Sequence, residues 1–217
     1  QDEFALESQR RAATPEAQAA FAEEITPFEV GGRKPFTADK DEHPKPDTTL
    51  ETLAKLRPAF AKDGTVTAGN ASGINDGAAS VVLGRESAVA ERGLTGLVSL
   101  EAVATAAMEP ELMGYAPTHA LRALFDKTGT SPSDIGSIEL NEAFASQAVA
   151  VIRDTELDPA RVNPYGGAIA LGHPVGATGA ILTLRLAKDM VRRDLELGIV
   201  TMCIGGGQAL AAMFRRI

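Results

Sequence analysis

The sequence predicts an α/β layered domain, because helix-like and strand-like segments alternate along most of its 217 residues. Two observations carry this prediction. Apolar runs of strand length, such as residues 198–203 and 208–214, alternate with longer amphipathic runs such as 177–193. Glycines follow helical runs at Gly93 and Gly129, where they can end a helix. At 44% hydrophobic and 23% charged residues, the chain has the composition of a globular protein.

The first part of the chain predicts helices that surround a long loop. An Ala-, Glu- and Gln-rich stretch opens the chain, and Thr14-Pro15 within it is typical of the start of a second helix. Three prolines and many charges then favour a loop. The predicted elements are helices over 2–21 and 50–56, a strand over 24–30 and a loop over 31–49.

From residue 64 onward the predicted elements alternate more regularly. The segment 70–77 is rich in Asn, Ser, Asp and Gly and predicts a turn. The run of small and apolar residues over 78–83 predicts a buried strand. The remaining predictions are strands over 65–67, 97–106, 138–140, 198–203 and 208–214, and helices over 86–92, 119–127, 143–153 and 177–193.

Charge and cysteine content exclude several classes of function. The net charge of −8 disfavours a nucleic-acid binder, whose contact surface would be basic. No stretch is long and apolar enough to cross a bilayer, so no membrane contact is predicted. The single cysteine, Cys203, rules out an internal disulfide and a multi-cysteine zinc site, and no metal is expected.

Three polar residues lie in turn-like sequence at the ends of predicted elements, where function often resides. Asn141 stands between a strand and a helix, and taken alone it favours a helix N-cap. His173 lies in a stretch rich in glycine and proline, where an imidazole could exchange protons next to closely approaching backbone; we favour a functional role over a structural one. Cys203 precedes Gly205-Gly206-Gly207 and could act as acid, base or nucleophile, or pack inertly in the core.

Four segments, taken in order, resemble the active-site segments of thiolases, and the resemblance covers essentially the whole chain. Three of them read Asn-Glu-Ala-Phe, Gly-Gly-Ala-Ile-Ala-Leu-Gly-His-Pro-x-Gly-Ala-x-Gly and Cys-Ile-Gly-Gly-Gly-Gln. The fourth, upstream, contains Asn-Ala-Ser-Gly and is similar to the family's coenzyme A segment. The four segments are residues 64–79, 141–144, 166–179 and 203–208.

The resemblance implies a role for each residue of the site. His173 would activate a nucleophilic cysteine, and Cys203 would be the acid/base cysteine that moves the proton at the substrate α-carbon. The N–H of Gly205 would supply part of one oxyanion hole. Asn141 would hold a water that, with His173, stabilises the enolate-like oxygen in the second. Fixed dipoles and a base at the α-carbon are what carbon–carbon bond formation beside a thioester requires.

Five further residues are expected at the coenzyme A and substrate sites by the same resemblance. Ser72 would contact the pantetheine arm, Phe60 and Phe144 would form apolar walls of its channel, and Lys45 would lie near the nucleotide. Met113 belongs to a substrate-pocket segment in which Ala116 replaces a usual glycine. For the first four, the structural alternatives are a cap, two core residues and a solvated charge. His119 is expected to be a surface helix residue.

The resemblance also implies a fold and a division of the chain. The fold would be the thiolase-like layered one, a mixed sheet covered by helices, and would comprise the C-terminal half plus part of the loop domain. Residues 1–73 would belong to the loop domain with its coenzyme A contacts, residues 74–97 would close the N-terminal half, and residues 98–217 would form the C-terminal domain.

One departure from the family is the absence of a second cysteine. We expect the nucleophile to come from an N-terminal thiolase half, in the same precursor or on a separate chain. Its partner surface here should be apolar, so that this chain by itself would expose a hydrophobic patch.

The predicted function is that of an acetyl-CoA C-acyltransferase that is incomplete without that half. It would catalyse Claisen condensation of acetyl-CoA or thiolysis of 3-ketoacyl-CoA, with acyl-CoA and coenzyme A as substrates and no cofactor. One alternative is a non-catalytic coenzyme A-binding or regulatory protein. Another is a condensing-enzyme relative, ranked lower because such enzymes carry a histidine where Cys203 stands. A cytoplasmic homodimer or homotetramer is expected.

Overall fold

The structure is a computed structural model that describes all 217 residues. Two 3₁₀ turns, Pro110–Tyr115 and Pro132–Asp134, accompany its helices and strands. In chain order the elements are α1 (Asp2–Ala12), α2 (Pro15–Glu24), β1 (Phe28–Val30), β2 (Phe36–Ala38), α3 (Leu50–Leu53), α4 (Glu86–Glu91), β3 (Val98–Ala107), α5 (Ala116–Thr128), β4 (Ser137–Leu140), α6 (Ala145–Asp154), α7 (Ala168–Leu171), α8 (Thr178–Arg192), β5 (Leu197–Gly205) and β6 (Gln208–Arg216).

The main sheet has four strands in the order β3-β6-β5-β4. Strands β5 and β6 are antiparallel because the turn between them is tight, with Gly206 and Gly207 at positive φ. A side chain at Gly207 would collide with the carbonyl oxygen of Met108. Strands β4 and β5 are parallel, and the crossover that such a pair requires contains α6, α7 and α8.

Helices cover both faces of this sheet. Ile199 and Met213 pack into the largest core cluster, which contains buried residues of α5 and α6. Val200 and Phe214, the next residues along the same strands, pack against α8 instead. This alternation follows from the two-residue side-chain period of a strand. The fold is therefore a mixed sheet covered by helices, which confirms the predicted fold class.

Helices α1 to α3 pack against the crossover rather than against the sheet. Ala12 and Phe21 share a small core with Tyr165 and the buried part of α7. The predicted start of α2 is confirmed, because Oγ1 of Thr14 accepts a hydrogen bond from the N–H of Ala17 at 3.2 Å. No helix combines the length and the apolar character that crossing a bilayer requires.

Three predicted strands differ from the structure. The strand predicted over 24–30 is shorter, because α2 continues to Glu24, and it pairs with β2 inside the predicted loop. Residues 65–67 form only an isolated bridge between Thr67 and Pro58.

Residues 78–83 form no strand at all, so the predicted buried strand is wrong for this structure. No strand lies beside this run, and the side chains of Val82 and Leu83 are 95% and 89% exposed. An exposed hydrophobic patch at this place stays a prediction.

Candidate active site

His173 lies in a turn between α7 and α8 that fixes its imidazole. Its Nδ1 is 2.7 Å from Oγ1 of Thr178, the first residue of α8, and that hydroxyl donates to the carbonyl oxygen of Pro174 at 2.9 Å. With the hydroxyl proton used in this way, the assignment that satisfies both contacts has Nδ1 of His173 donating to Thr178. The lone pair of the neutral ring is then on Nε2, the form that can accept a proton.

The environment of His173 favours this neutral form. Burial lowers the pKa of the imidazole, because removing the ring from water disfavours the charged state. The side chain is half-buried. A neutral imidazole whose lone pair is on Nε2 is suited to act as a general base at neutral pH.

Asn141 follows β4 and faces the same imidazole. Its N–H donates to the carbonyl oxygen of Thr201 at 3.0 Å, which extends the β4–β5 pairing by one residue. Its Nδ2 lies 3.3 Å from Nε2 of His173. Helix α6 begins only at Ala145, so the N-cap interpretation of Asn141 is wrong.

The amide oxygen of Asn141 has no partner, although the residue is only 1% exposed. Buried polar atoms are nearly always hydrogen-bonded, so an unpaired one suggests a place for a donor from outside the chain. Asn141 also lines a cavity of about 650 Å³ together with Gly172 and Thr178.

Glu142 is a buried carboxylate that sequence reasoning did not single out. It accepts hydrogen bonds from Oγ of Ser8 (2.7 Å), Nδ2 of Asn163 (2.8 Å) and the N–H of Ile169 (3.1 Å). Burial raises the pKa of Glu142, and these hydrogen bonds oppose the rise. The carboxylate therefore joins α1, the Asn141 loop and α7. The signal in the sequence was an acidic residue at the entry to an apolar helix.

Cys203 lies on β5, two residues beyond the Thr201 carbonyl that receives the N–H of Asn141. Its side chain is buried, and burial raises the pKa of the thiol. The thiol is therefore protonated at neutral pH, which suits a proton donor better than an unassisted nucleophile. Gly205 follows with a φ of +104° and open space on the side where a Cβ would stand.

Three of the residues predicted to bind coenzyme A come together. The rings of Phe60 and Phe144 meet edge to face with centroids 5.8 Å apart. Ser72 is adjacent, because its N–H donates to the carbonyl oxygen of Ala143 at 3.0 Å. Phe60 is 77% exposed, so the alternative of a core residue fails for this side chain.

Met113 and Lys45 lie outside this group. Met113 is part of the 3₁₀ turn that packs against α6 and β5. Lys45 is exposed and is held through its backbone, whose N–H donates to Oε1 of Gln9 at 2.8 Å. His119 is an exposed residue of α5 that packs edgewise on Tyr115, as expected of a surface residue. No group of three or more His, Cys, Asp and Glu side chains is placed to hold a metal ion.

Comparison with known families matches both parts of the chain. The family model described as thiolase, N-terminal domain, matches residues 1–87, and the model described as thiolase, C-terminal domain, matches residues 94–216.

Curated relatives match over the entire chain. An acetyl-CoA acetyltransferase of Thiocystis violacea is 48% identical, and one of Escherichia coli is 49% identical. A beta-ketothiolase of Cupriavidus necator is 48% identical. Each alignment covers 100% of this chain but 55% to 56% of the relative. The chain thus spans about half the length of the curated relatives it matches.

Solved structures agree with these relatives. The acetyl-CoA acetyltransferase of Bacillus anthracis superposes with a TM-score of 0.96 at 42% identity, and 55% of that chain is covered. Human mitochondrial 3-ketoacyl-CoA thiolase in complex with CoA superposes with a TM-score of 0.90 at 39% identity, and 54% of it is covered. Both matches include 100% of the present chain.

Proposed function

The chain belongs to the thiolase family, and from this premise we propose that it supplies the acid–base part of a thiolase active site. The reaction is acyl transfer between coenzyme A thioesters, either condensation of acetyl-CoA or thiolysis of a 3-ketoacyl-CoA. The relatives named acetyl-CoA acetyltransferase and the relative solved with CoA support this choice.

The observation that carries the proposal is the chain of contacts Asn141–His173–Thr178. Thr178 accepts the Nδ1 proton of His173, which leaves Nε2 as the base. The amide of Asn141 lies beside that nitrogen, at the wall of the cavity. A protein that only binds coenzyme A has no need of a base oriented in this way.

In thiolysis, Nε2 of His173 takes the proton from a nucleophilic cysteine, whose sulfur attacks the keto carbon of the substrate. The carbon–carbon bond then breaks, an acyl-cysteine forms, and the Cys203 thiol gives its proton to the α-carbon of the leaving acetyl-CoA enolate. The thiol of coenzyme A next attacks the acyl-cysteine and gives its proton to the Cys203 thiolate. Acyl-CoA leaves, and the released nucleophilic cysteine recovers its proton from His173. In condensation the same steps run in reverse, and the Cys203 thiolate removes the α-proton. The N–H of Gly205 and the Asn141–His173 pair stabilise the oxyanions. Ser72, Phe60 and Phe144 hold the pantetheine arm.

The nucleophilic cysteine comes from outside this sequence. The chain has one cysteine, and its buried, protonated thiol is assigned to the α-carbon. We use the term completed protein for this chain together with a segment that corresponds to the remaining length of its relatives. That segment can lie on the same polypeptide or on another. The domain boundaries at residues 73 and 97, the homodimer or homotetramer and the cytoplasmic location stay predictions, as do the roles of Met113 and Lys45.

The test is thiolysis of acetoacetyl-CoA by the purified chain, with and without that segment. We expect activity only in the completed protein, loss of activity in His173→Asn and Cys203→Ala, and wild-type activity in the control His119→Asn. If the chain alone is active and Cys203→Ala abolishes that activity, Cys203 is the nucleophile and the assignment is overturned. Coenzyme A binding without turnover in the completed protein would favour a binding protein instead.

A further inference from the structure

We infer that Asn75 is a positioning residue for His173, and that it acts by holding the backbone of the turn that carries the imidazole. This inference rests on the proposed function, in which His173 is the base. Neither the coenzyme A contacts nor the proton-transfer set includes Asn75.

Asn75 contacts the His173 turn directly. Its Oδ1 accepts a hydrogen bond from the backbone N–H of His173 at 3.1 Å. Its neighbour Ile74 forms an isolated parallel bridge with His173. The side chain of Asn75 thus satisfies a backbone donor at the point where α7 has ended and α8 has not begun.

The fit between the two segments leaves no room for side chains at two glycines. Gly172 has a φ of +92°, and a Cβ there would lie 2.5 Å from Oδ1 of Asn75. A Cβ at Gly77 would lie 2.7 Å from Cγ of Pro174. Residues 75–77 therefore pack closely along residues 172–174, and the contact is not confined to one hydrogen bond.

His43 orients Asn75 from the other side. Nδ1 of His43 lies 3.3 Å from Nδ2 of Asn75. Burial lowers the pKa of His43, so the ring is neutral and its Nδ1 can accept from the amide. The amide of Asn75 then has one orientation, with Oδ1 towards His173. Asn75 thus links His43 to the turn that carries His173.

The consequence is a functional link between Asn75 and the base. If the turn loosens, Nε2 of His173 moves relative to the nucleophile, and a displacement of about 1 Å can cost about a hundredfold in rate. Because Asn75 does not contact substrate in this proposal, its loss should lower kcat more than it changes KM.

The experiment compares three variants of the completed protein. Asn75→Ala removes the acceptor, Asn75→Asp keeps an acceptor oxygen, and Asp76→Asn alters an exposed neighbour as a matched control. Acetoacetyl-CoA thiolysis gives kcat and KM. Hydrogen–deuterium exchange of the peptide that contains His173 reports whether its N–H is still held, and does not require activity.

We expect Asn75→Ala to lower kcat about tenfold or more with KM within about twofold of wild type. Exchange at His173 should rise in this variant. Asn75→Asp should recover both kcat and protection, and Asp76→Asn should match wild type.

Several results would overturn the inference. One is a kcat of Asn75→Ala within about twofold of wild type, and another is a kcat of Asn75→Asp as low as that of Asn75→Ala. A third is unfolding of both variants, which would mean that Asn75 contributes to stability alone. If the wild-type completed protein shows no thiolysis, the proposed function fails. The exchange pattern of Asn75→Ala and Asn75→Asp then still decides whether Asn75 holds the turn.

Discussion

Strand β4 and residues 78–83 were both predicted to form strands, but their environments in the structure are opposite. All four residues of β4 are buried, and the strand pairs in parallel with β5. Residues 78–83 have no neighbouring strand, and Val82 and Leu83 are almost fully exposed. The comparison teaches that the apolar content of a segment does not by itself determine strand formation or burial, which also require a neighbouring strand such as β5.

The candidate site lies where these two regions meet. Asn141 and Thr178 approach His173 from the buried unit around the main sheet, and Asn75 approaches it from the exposed segment. Any partner that covers residues 78–83 would therefore act close to the proposed base. The variants below separate what each region contributes.

The largest expected effect on stability comes from truncating a buried side chain of β4, compared with an exposed side chain of residues 78–83. Leu140→Ala should lower the free energy of unfolding by about 2 to 5 kcal/mol, because it empties a buried site in β4. Val82→Ala, its control in residues 78–83, should cost less than about 0.5 kcal/mol. Chemical denaturation of the purified chain measures both values. An equal cost at the two sites would mean that residues 78–83 are buried in solution, and the contrast between the regions would disappear.

The next effect concerns the contact between Thr178 of α8 and His173. Thr178→Val removes the acceptor of the Nδ1 proton at nearly constant volume, so the neutral ring loses its preferred tautomer. We expect kcat for thiolysis by the completed protein to fall about 10- to 100-fold with little change in KM. Thr183→Val is the matched control, since its hydroxyl bonds only to the carbonyl of Gly179 within α8. A Thr178→Val enzyme as fast as the control would remove Thr178 from the mechanism.

The fold was predictable from the sequence wherever local pattern and tertiary packing agree. Strands β5 and β6 with their glycine turn, α8, and the Thr14 cap were all predicted near their observed positions. The second strand of the hairpin β1–β2 was missed because it has only three residues and follows a proline.

The site was predictable only in part. The motifs marked Asn141, His173 and Cys203, because those residue types stand out in turn sequence. Asn75 and Glu142 were missed, since their importance lies in contacts with residues 98 and 27 positions away. No local pattern contains such contacts.

A third effect concerns a buried carboxyl group in β4 and the dependence of stability on pH. Both carboxylate oxygens of Glu139 in β4 lack hydrogen-bond partners, and burial raises the pKa of Glu139 to about 8, with Arg185 opposing the rise. The folded state therefore binds more protons than the unfolded state between about pH 4.5 and 8, and the free energy of unfolding should fall as pH rises through that window.

Glu139→Gln should abolish this fall and leave the variant more stable than wild type above pH 8 by about 1 to 5 kcal/mol, where the upper value corresponds to the full rise of the pKa from 4.5 to about 8. Urea unfolding at a series of pH values measures the effect. Glu86→Gln, an exposed carboxylate of α4, is the control and should follow the wild-type curve. Parallel curves for wild type and Glu139→Gln would show that Glu139 is ionised in the folded protein or hydrated there.

The smallest effect uses a matched pair of glycines that end helices. Gly129 follows α5 with a φ of +67°, Gly93 lies just beyond α4 with a φ of +62°, and a Cβ at either would meet nothing within 4 Å. Substitution by alanine therefore imposes the same backbone penalty, about 1 kcal/mol, at both sites.

The two regions should nevertheless respond differently to this equal penalty. Helix α5 packs on the sheet, so Gly129→Ala should lower the free energy of unfolding by the full amount. Helix α4 has no buried residue and can unfold locally, so Gly93→Ala should change global stability by less than about 0.3 kcal/mol. In the completed protein the cost of Gly93→Ala should rise towards that of Gly129→Ala, because a covered segment unfolds together with the rest. If the cost stayed small there, residues 74–97 would not be the surface that the partner segment covers.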